Sequence, residues 1–305
     1  MDWTGVLPAI TTPFNNDLSI DHAFLAQHCA WLLANGCKSV VPLGSLGEGA
    51  TLSVDEKIAV LRTCIMAANG RAPVIATVSS LRTDQAVQFA HEAQRIGCSG
   101  LMVLPPYVYR GDWREIKAHV SAVLRATALE AMLYNNPIAY GTDFLPQQIA
   151  ELAEEHMNLK AVKESSADVR RVSGIRALLG DRLTICVGVD DAILEGIYVG
   201  ATGWVAGLVN AFPAESVALF DAGMKGDRKR AEELYHWFLP LLRMDTIPKF
   251  VQLIKLVQQE MGKGNERVRP PRLELVGCER EDALSTLKQA LKDLPRVEED
   301  KSEST

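Results

Sequence analysis

A (β/α)8 TIM barrel with a C-terminal helical extension is the fold class the sequence predicts, and three observations predict it. Eight short apolar runs recur as far as Ala206, amphipathic stretches separate them, and after the eighth run the sequence turns entirely helical. Near-continuous apolar character, without polar alternation, suits parallel strands buried on both faces. Strand and helix alternating through eight units closes into a barrel. The alternative, a doubly wound open sheet, requires a phosphate-binding glycine turn after the first strand. The chain has Thr11-Thr12-Pro13-Phe14 there instead.

In chain order the predicted strands are Val6–Ile10, Ser39–Leu43, Val74–Val78, Gly100–Leu104, Ala131–Tyr134, Leu159–Lys163, Leu183–Val187 and Gly203–Ala206. Between them, Ile20–Asn35 carries Phe24, Leu25, His28, Trp31 and Leu32 at helical spacing, and Asp84–Arg95 repeats the pattern with Ala86, Val87, Phe89, Ala90 and Ala93. Ser53 followed by Glu56 three residues on is a capping box that opens the second helix. Pro213–Met224 completes the barrel. Arg228–Arg243, Lys249–Met261 and Arg280–Leu291 exceed what a barrel needs. The expected organisation is therefore a catalytic barrel over 1–225, a helical extension over 226–295 and a disordered polar tail over 296–305.

Composition bounds the function. The chain has 305 residues, 48% hydrophobic and 23% charged, with a net charge of -6. That balance, with no block of Lys or Arg, argues against nucleic-acid binding. No apolar run is long enough to span a bilayer and the N-terminus lacks a secretory pattern, so a cytoplasmic protein is expected. Cys29, Cys37, Cys64, Cys98, Cys186 and Cys278 show neither C-x-x-C spacing nor a His-rich partner segment. They are expected to be small buried hydrophobes, not a metal site or a disulfide frame.

In barrels of this kind the active site lies at the carboxyl ends of the strands. Four ends carry polar or conformationally special residues: Gly44-Ser45-Leu46-Gly47-Glu48-Gly49, Pro105-Pro106-Tyr107-Val108-Tyr109, Tyr134-Asn135-Asn136-Pro137, and Lys163. Taken singly, the glycine loop reads as a tight turn and Tyr134 as packing. Strand parity puts Lys163 on one face with Leu159 and Ala161, but Val162 makes the other face apolar too, so parity leaves the side open. Position favours Lys163, which ends its strand, over Lys160 near the start. Burial disfavours an ammonium and frees amine to attack a keto group. A nearby phenol shuttles protons. Backbone N–H groups of a Gly-Ser turn hold a carboxylate. Together they form a receptor for a 2-oxo acid.

Gly5–Phe14, the Gly44-Ser45-Leu46-Gly47-Glu48 loop with Leu52-Ser53 after it, Tyr134 with Asn135 and Pro137, Val162-Lys163-Glu164-Ser165-Ser166, Gly188 with Asp190, and Gly200-Ala201-Thr202-Gly203 resemble the dihydrodipicolinate synthase/N-acetylneuraminate lyase family from Gly5 to about Pro213. The resemblance implies that Lys163 forms a Schiff base, that Tyr134 is the proton shuttle with Ser45 as its hydrogen-bond partner, and that Gly44, Ser45, Leu46 and Gly47 receive the carboxylate, with Gly188 and Val205 among the substrate contacts. It also implies a homotetramer built from dimers and no metal or organic cofactor.

Three departures bear on the substrate. Leu46 stands where the synthases carry a second hydroxyl. Ala139 stands where they carry an arginine for the aldehyde's carboxylate. Val108 stands where many members place a tyrosine that crosses the dimer interface, leaving Tyr107 and Tyr109 to compensate. The Tyr134-Asn135-Asn136-Pro137 form, the run Pro105-Pro106-Tyr107-Val108-Tyr109-Arg110-Gly111-Asp112-Trp113 and Asp245-Thr246-Ile247-Pro248-Lys249-Phe250 resemble the branch of 1-pyrroline-4-hydroxy-2-carboxylate deaminases and 2-keto-3-deoxy-sugar-acid dehydratases. The expected reaction is conversion of that cyclic imine to 2,5-dioxopentanoate and ammonia. The alternatives are a pyruvate condensation like that of the synthase, or an aldolase. A non-catalytic 2-oxo-acid-binding regulator is the alternative of another class. The histidines lie mostly in helical stretches and suit surface or packing roles.

Overall fold

The computed structural model describes residues 1–295; the stretch 296–305, expected as a disordered tail, lies outside them. Seven parallel strands form one curved sheet: β1 (Gly5–Pro8), β2 (Ile75–Val78), β3 (Gly100–Val103), β4 (Glu130–Asn135), β5 (Leu159–Glu164), β6 (Thr184–Val187) and β7 (Gly203–Ala206). Their spatial order is β1-β7-β6-β5-β4-β3-β2. With its shell of helices this is the predicted barrel class.

The predicted strand Ser39–Leu43 is reduced to isolated bridges, Ala9 with Val41 and Val40 with Val74. Pro42 has no N–H to donate, and Leu43 turns to φ +69, so pairing cannot run on. The segment still fills the eighth place. Val41 N–H donates to Pro8 O at 2.8 Å, and Ile75 N–H donates to Val40 O at 3.0 Å, joining the first and last strands of the sheet.

The outer helices follow the predicted pattern: α1 (His22–Ala34), α2 (Val54–Ala68), α3 (Thr83–Ile96), α4 (Trp113–Ala126), the single turn α5 (Pro137–Tyr140), α6 (Pro146–Glu155), α7 (Arg170–Leu179), α8 (Ile193–Tyr198) and α9 (Pro213–Lys225). The capping box at α2 forms in both directions, Glu56 N–H to Ser53 Oγ at 3.2 Å and Ser53 N–H to Glu56 Oε2 at 2.8 Å. Beyond α9, helices α10 (Arg228–Leu242), α11 (Phe250–Glu260) and α12 (Gly277–Lys292) follow. α11 is buried along Val251–Gln258, and that burial takes in Lys255. No helix among the described residues is long and apolar enough to cross a membrane. Cys29, Cys37, Cys64, Cys98 and Cys186 are buried and free, as expected; Cys278, in the first turn of α12, is exposed.

His28 illustrates the packing role expected of the histidines. Its Nε2–H donates to Asn210 Oδ1 at 3.0 Å, and Asn210 Nδ2 donates to Ala9 O and Gly207 O. Burial pushes the imidazole from 6.5 down to about 4. The unfolded chain therefore takes up this proton between those two values and the folded chain does not. The stabilisation is whole above about pH 6.5 and is lost as pH falls toward 4, by about 3 kcal/mol in all. Urea unfolding at a series of pH values should show this slope in the wild type and a flatter one in His28→Gln. Equal slopes would refute the assignment.

Candidate active site

The centre of the site is set by strand register. Tyr134 on β4 pairs with Lys163 on β5, and Lys163 pairs with Cys186 on β6. Partners in a parallel ladder point to the same face, so these three side chains share the barrel interior. Lys163 is 6% exposed, and its Nζ lies 4.4 Å from the centre of the Tyr134 ring. The ambiguity that parity left is thus resolved: Lys163 faces inward. Among the described residues it makes no ion pair, so its amine is held by an aromatic face and not locked to a carboxylate.

The next residue holds this geometry in place. Glu164 points to the opposite face, buried, where its Oε2 accepts from Asn135 Nδ2 at 3.0 Å and its Oε1 from Ser166 N–H at 2.7 Å. Burial raises its pKa, against those donors. Asn135 also accepts from Phe144 N–H at 2.9 Å. The ends of β4 and β5 are stapled together behind the pocket, which fixes Tyr134 over Lys163.

Gly188 lies beside the lysine, where its lack of a side chain is required. A Cβ there would lie 2.5 Å from Lys163 Cε and 2.0 Å from Ser165 Oγ. That Ser165 hydroxyl is buried and has no hydrogen-bond partner among the described residues. Val205 shares the interior face with Gly203, which is in register with Cys186, and is buried one layer nearer the strand ends.

The Gly44–Gly47 loop approaches from the other side of the mouth, with Gly44 near Met102 and Thr77. Leu46 and Gly47 are buried and Ser45 half-buried. Glu48 N–H donates back to Ser45 O at 3.1 Å and Gly49 N–H to Gly44 O at 3.2 Å, while Thr12 Oγ1 donates to Gly47 O at 2.6 Å. No hydrogen bond among the described residues uses the N–H of Ser45, Leu46 or Gly47. Three such N–H groups in one turn make a concavity suited to an anion.

The expected Ser45–Tyr134 hydrogen bond is absent. Ser45 Oγ bonds to the hydroxyl of Tyr140, and Tyr134 OH accepts from Asn136 Nδ2 at 3.1 Å. Tyr140 stands edge-on to Tyr134, centroids 5.8 Å apart, and tilted on Tyr107 at 5.1 Å. Tyr107 directs its own hydroxyl to Ser79 O at 3.3 Å, and Tyr109 is 57% exposed. Tyr140 is the hydroxyl the sequence reading missed. Its signal was present, since a turn that starts Asn136-Pro137 and ends in Gly141 at φ +69 folds residue 140 back toward residue 134. Burial, next to Tyr134, pushes the Tyr140 phenol well above its ordinary value, so it stays protonated.

Asp190 and Trp204 bond to each other in the core. Asp190 is buried and accepts from Trp204 Nε1, Gly207 N–H and Leu208 N–H, which ties the end of β6 to that of β7.

The profile of the dihydrodipicolinate synthetase family matches residues 2–292. The chain belongs to this family. The 4-hydroxy-tetrahydrodipicolinate synthase of Geobacter metallireducens is 31% identical over 285 residues, covering 93% of this chain and 98% of that protein. Among solved structures, the 4-hydroxy-tetrahydrodipicolinate synthase of Methylacidiphilum fumariolicum SolV superposes with a TM-score of 0.90 at 29% identity, over 95% of this chain and 97% of the other. The chloride-inhibited dihydrodipicolinate synthase of Acinetobacter baumannii, complexed with pyruvate, gives a TM-score of 0.90 at 26% identity, over 95% and 99%. As a member of the dihydrodipicolinate synthetase family the chain is an enzyme of the lyase type. The family membership expected from its motifs holds along nearly the whole chain.

Proposed function

We propose that this protein is a Schiff-base lyase that captures a small 2-oxo acid, pyruvate foremost, on Lys163 and uses the enamine for aldol-type condensation with an aldehyde. The observation that carries the reading is the register pairing that sets the Lys163 amine, buried and in no ion pair among the described residues, 4.4 Å from the Tyr134 ring. The synthase names of the relatives support condensation over the deaminase expected from the departures.

The Lys163 amine adds to the C2 carbonyl, and loss of water gives an iminium. The substrate carboxylate rests on the N–H groups of Ser45, Leu46 and Gly47. The iminium withdraws electrons from C2, so a C3 proton leaves and an enamine forms. C3 then bonds to the aldehyde carbon, whose oxygen takes a proton. Water hydrolyses the iminium and returns the free lysine. Tyr134, Tyr140 and Ser45 carry the protons, and Ser165 offers its hydroxyl to the bound acid. The iminium is the electron sink, so no metal or organic cofactor takes part.

A second reading, elimination or ring-opening deamination, draws on specific residues. Ala139 and Ile138 are exposed beside the site where an arginine would hold a second carboxylate, and Leu46 makes the loop less polar. One assay separates the two. Pyruvate with aspartate semialdehyde should give a condensation product, and 1-pyrroline-4-hydroxy-2-carboxylate should release no ammonia. Ammonia from the second substrate, with no product from the first, would reverse the choice. The homotetramer implied by the resemblance belongs to the same reading; light scattering on the purified chain should return four times its 33.4 kDa.

A further inference from the structure

Glu48 ends the carboxylate-binding loop in a conformation that needs support. Its φ is +53, and Leu43 at the other end of the loop stands at +69, both in a region non-glycine residues seldom occupy. The two ends meet: a Cβ on Gly49 would lie 2.1 Å from Leu43 O. The Glu48 side chain is 0% exposed, a state costly for a carboxylate unless it is paired.

The partners come from the far end of the chain. Lys255 Nζ on α11 donates to Glu48 Oε1 at 2.7 Å, Arg269 N–H donates to Oε2 at 3.0 Å, and the Arg272 guanidinium stands 3.9 Å away. Lys255 is itself 1% exposed; it also donates to Arg267 O and lies 4.4 Å over the Phe14 ring. Replacing a buried pair by apolar groups is often neutral for stability. Folding alone thus gives no reason to join these two side chains, whereas a strained loop that must present three N–H groups to an anion does.

We infer that the Glu48–Lys255 pair is the positioning device of this loop: from outside the pocket it holds residues 43–49 in their left-handed closure and so sets the affinity of the site for the 2-oxo acid's carboxylate. The inference rests on the reading of Ser45, Leu46 and Gly47 as the carboxylate's seat. Neither Glu48 nor Lys255 touches Lys163, so the amine's reactivity is left alone.

The test uses Lys255→Met, Glu48→Gln, their double variant, and Glu48→Asp, which keeps the charge but shortens its reach and is the mildest for folding. Two quantities are read in the full chain: the pyruvate concentration that half-saturates borohydride trapping on Lys163, and amide hydrogen exchange across Gly44–Gly49. Each single removal should raise half-saturation at least about tenfold with trapping at saturation unchanged, and the double should be no worse than the poorer single. Loop amides should exchange at least about tenfold faster while those of β5 do not. Glu48→Asp should move both readings in the same direction by about threefold. A merely structural pair would lower the melting temperature and leave half-saturation and loop exchange where they were; that result would overturn the inference. If pyruvate fails to trap on the wild type, the functional reading fails, and loop exchange alone then decides: unaltered exchange in Glu48→Asp refutes the tether.

Discussion

Lys163→Ala is expected to leave a folded protein whose turnover falls by about six orders of magnitude, the scale lost when a covalent nucleophile is removed. Intact mass after borohydride reduction with pyruvate should show one adduct in the wild type and none in the variant. The fold should tolerate the change. Lys163 is buried but forms no ion pair among the described residues, so alanine breaks no direct salt bridge, and removing a buried amine offsets part of the lost packing. The neighbouring elements are tied independently of the lysine, through Glu164, Asn135 and the N–H of Ser166. Lys160→Ala is the matched control. Lys160 stands near the start of the same strand, is half-buried, and should trap and turn over as the wild type does. Retained turnover in Lys163→Ala, or an adduct mapped to another lysine, would remove the basis of the proposed chemistry.

What could be read from the sequence, and what could not, divides by distance along the chain. Apolar runs announce buried parallel strands because both faces of such strands meet hydrocarbon, and seven of the eight predicted strands form ladders. The exception, Ser39–Leu43, contains Pro42, whose missing N–H limits pairing whatever its neighbours' hydropathy. The side of Lys163 was open on parity because Val162 is as apolar as Ala161. Only the pairing with Tyr134 resolves it, and that register depends on how two strands meet. Tyr140 sits in a surface turn, where a tyrosine carries no periodic signal, and its hydroxyl bonds to Ser45, 95 residues earlier. The Glu48–Lys255 pair spans 207 residues and joins the barrel to a helix beyond it. Nothing in the local sequence of α11 marks Lys255, because one lysine on an amphipathic helix usually snorkels to solvent.

The second large effect is expected at Tyr140. Its hydroxyl is bonded to Ser45, its ring stands against Tyr134, and burial keeps it protonated and able to donate. Tyr134 OH accepts from Asn136 Nδ2, which leaves the Tyr134 hydrogen available to a substrate oxygen. Ser45, Tyr140 and Tyr134 therefore offer a set of hydroxyls drawn from one chain, and Val108, which is exposed, adds none. Tyr140→Phe removes one oxygen and keeps the ring contacts to Tyr107 and Tyr134. Turnover should fall about 10²- to 10⁴-fold, the range of a lost proton-transfer group. Borohydride trapping at equilibrium should persist, because the lysine and the carboxylate seat are untouched. Ser45→Ala should show a comparable loss, and the double variant should lose little more than the poorer single, since both act through the same hydrogen bond. Diluting the protein until it is monomeric should leave turnover per chain within about twofold. The combination matters: a Tyr140→Phe enzyme with full turnover, or a wild type whose activity vanishes on dilution, would mean that the third hydroxyl comes from a neighbouring subunit after all.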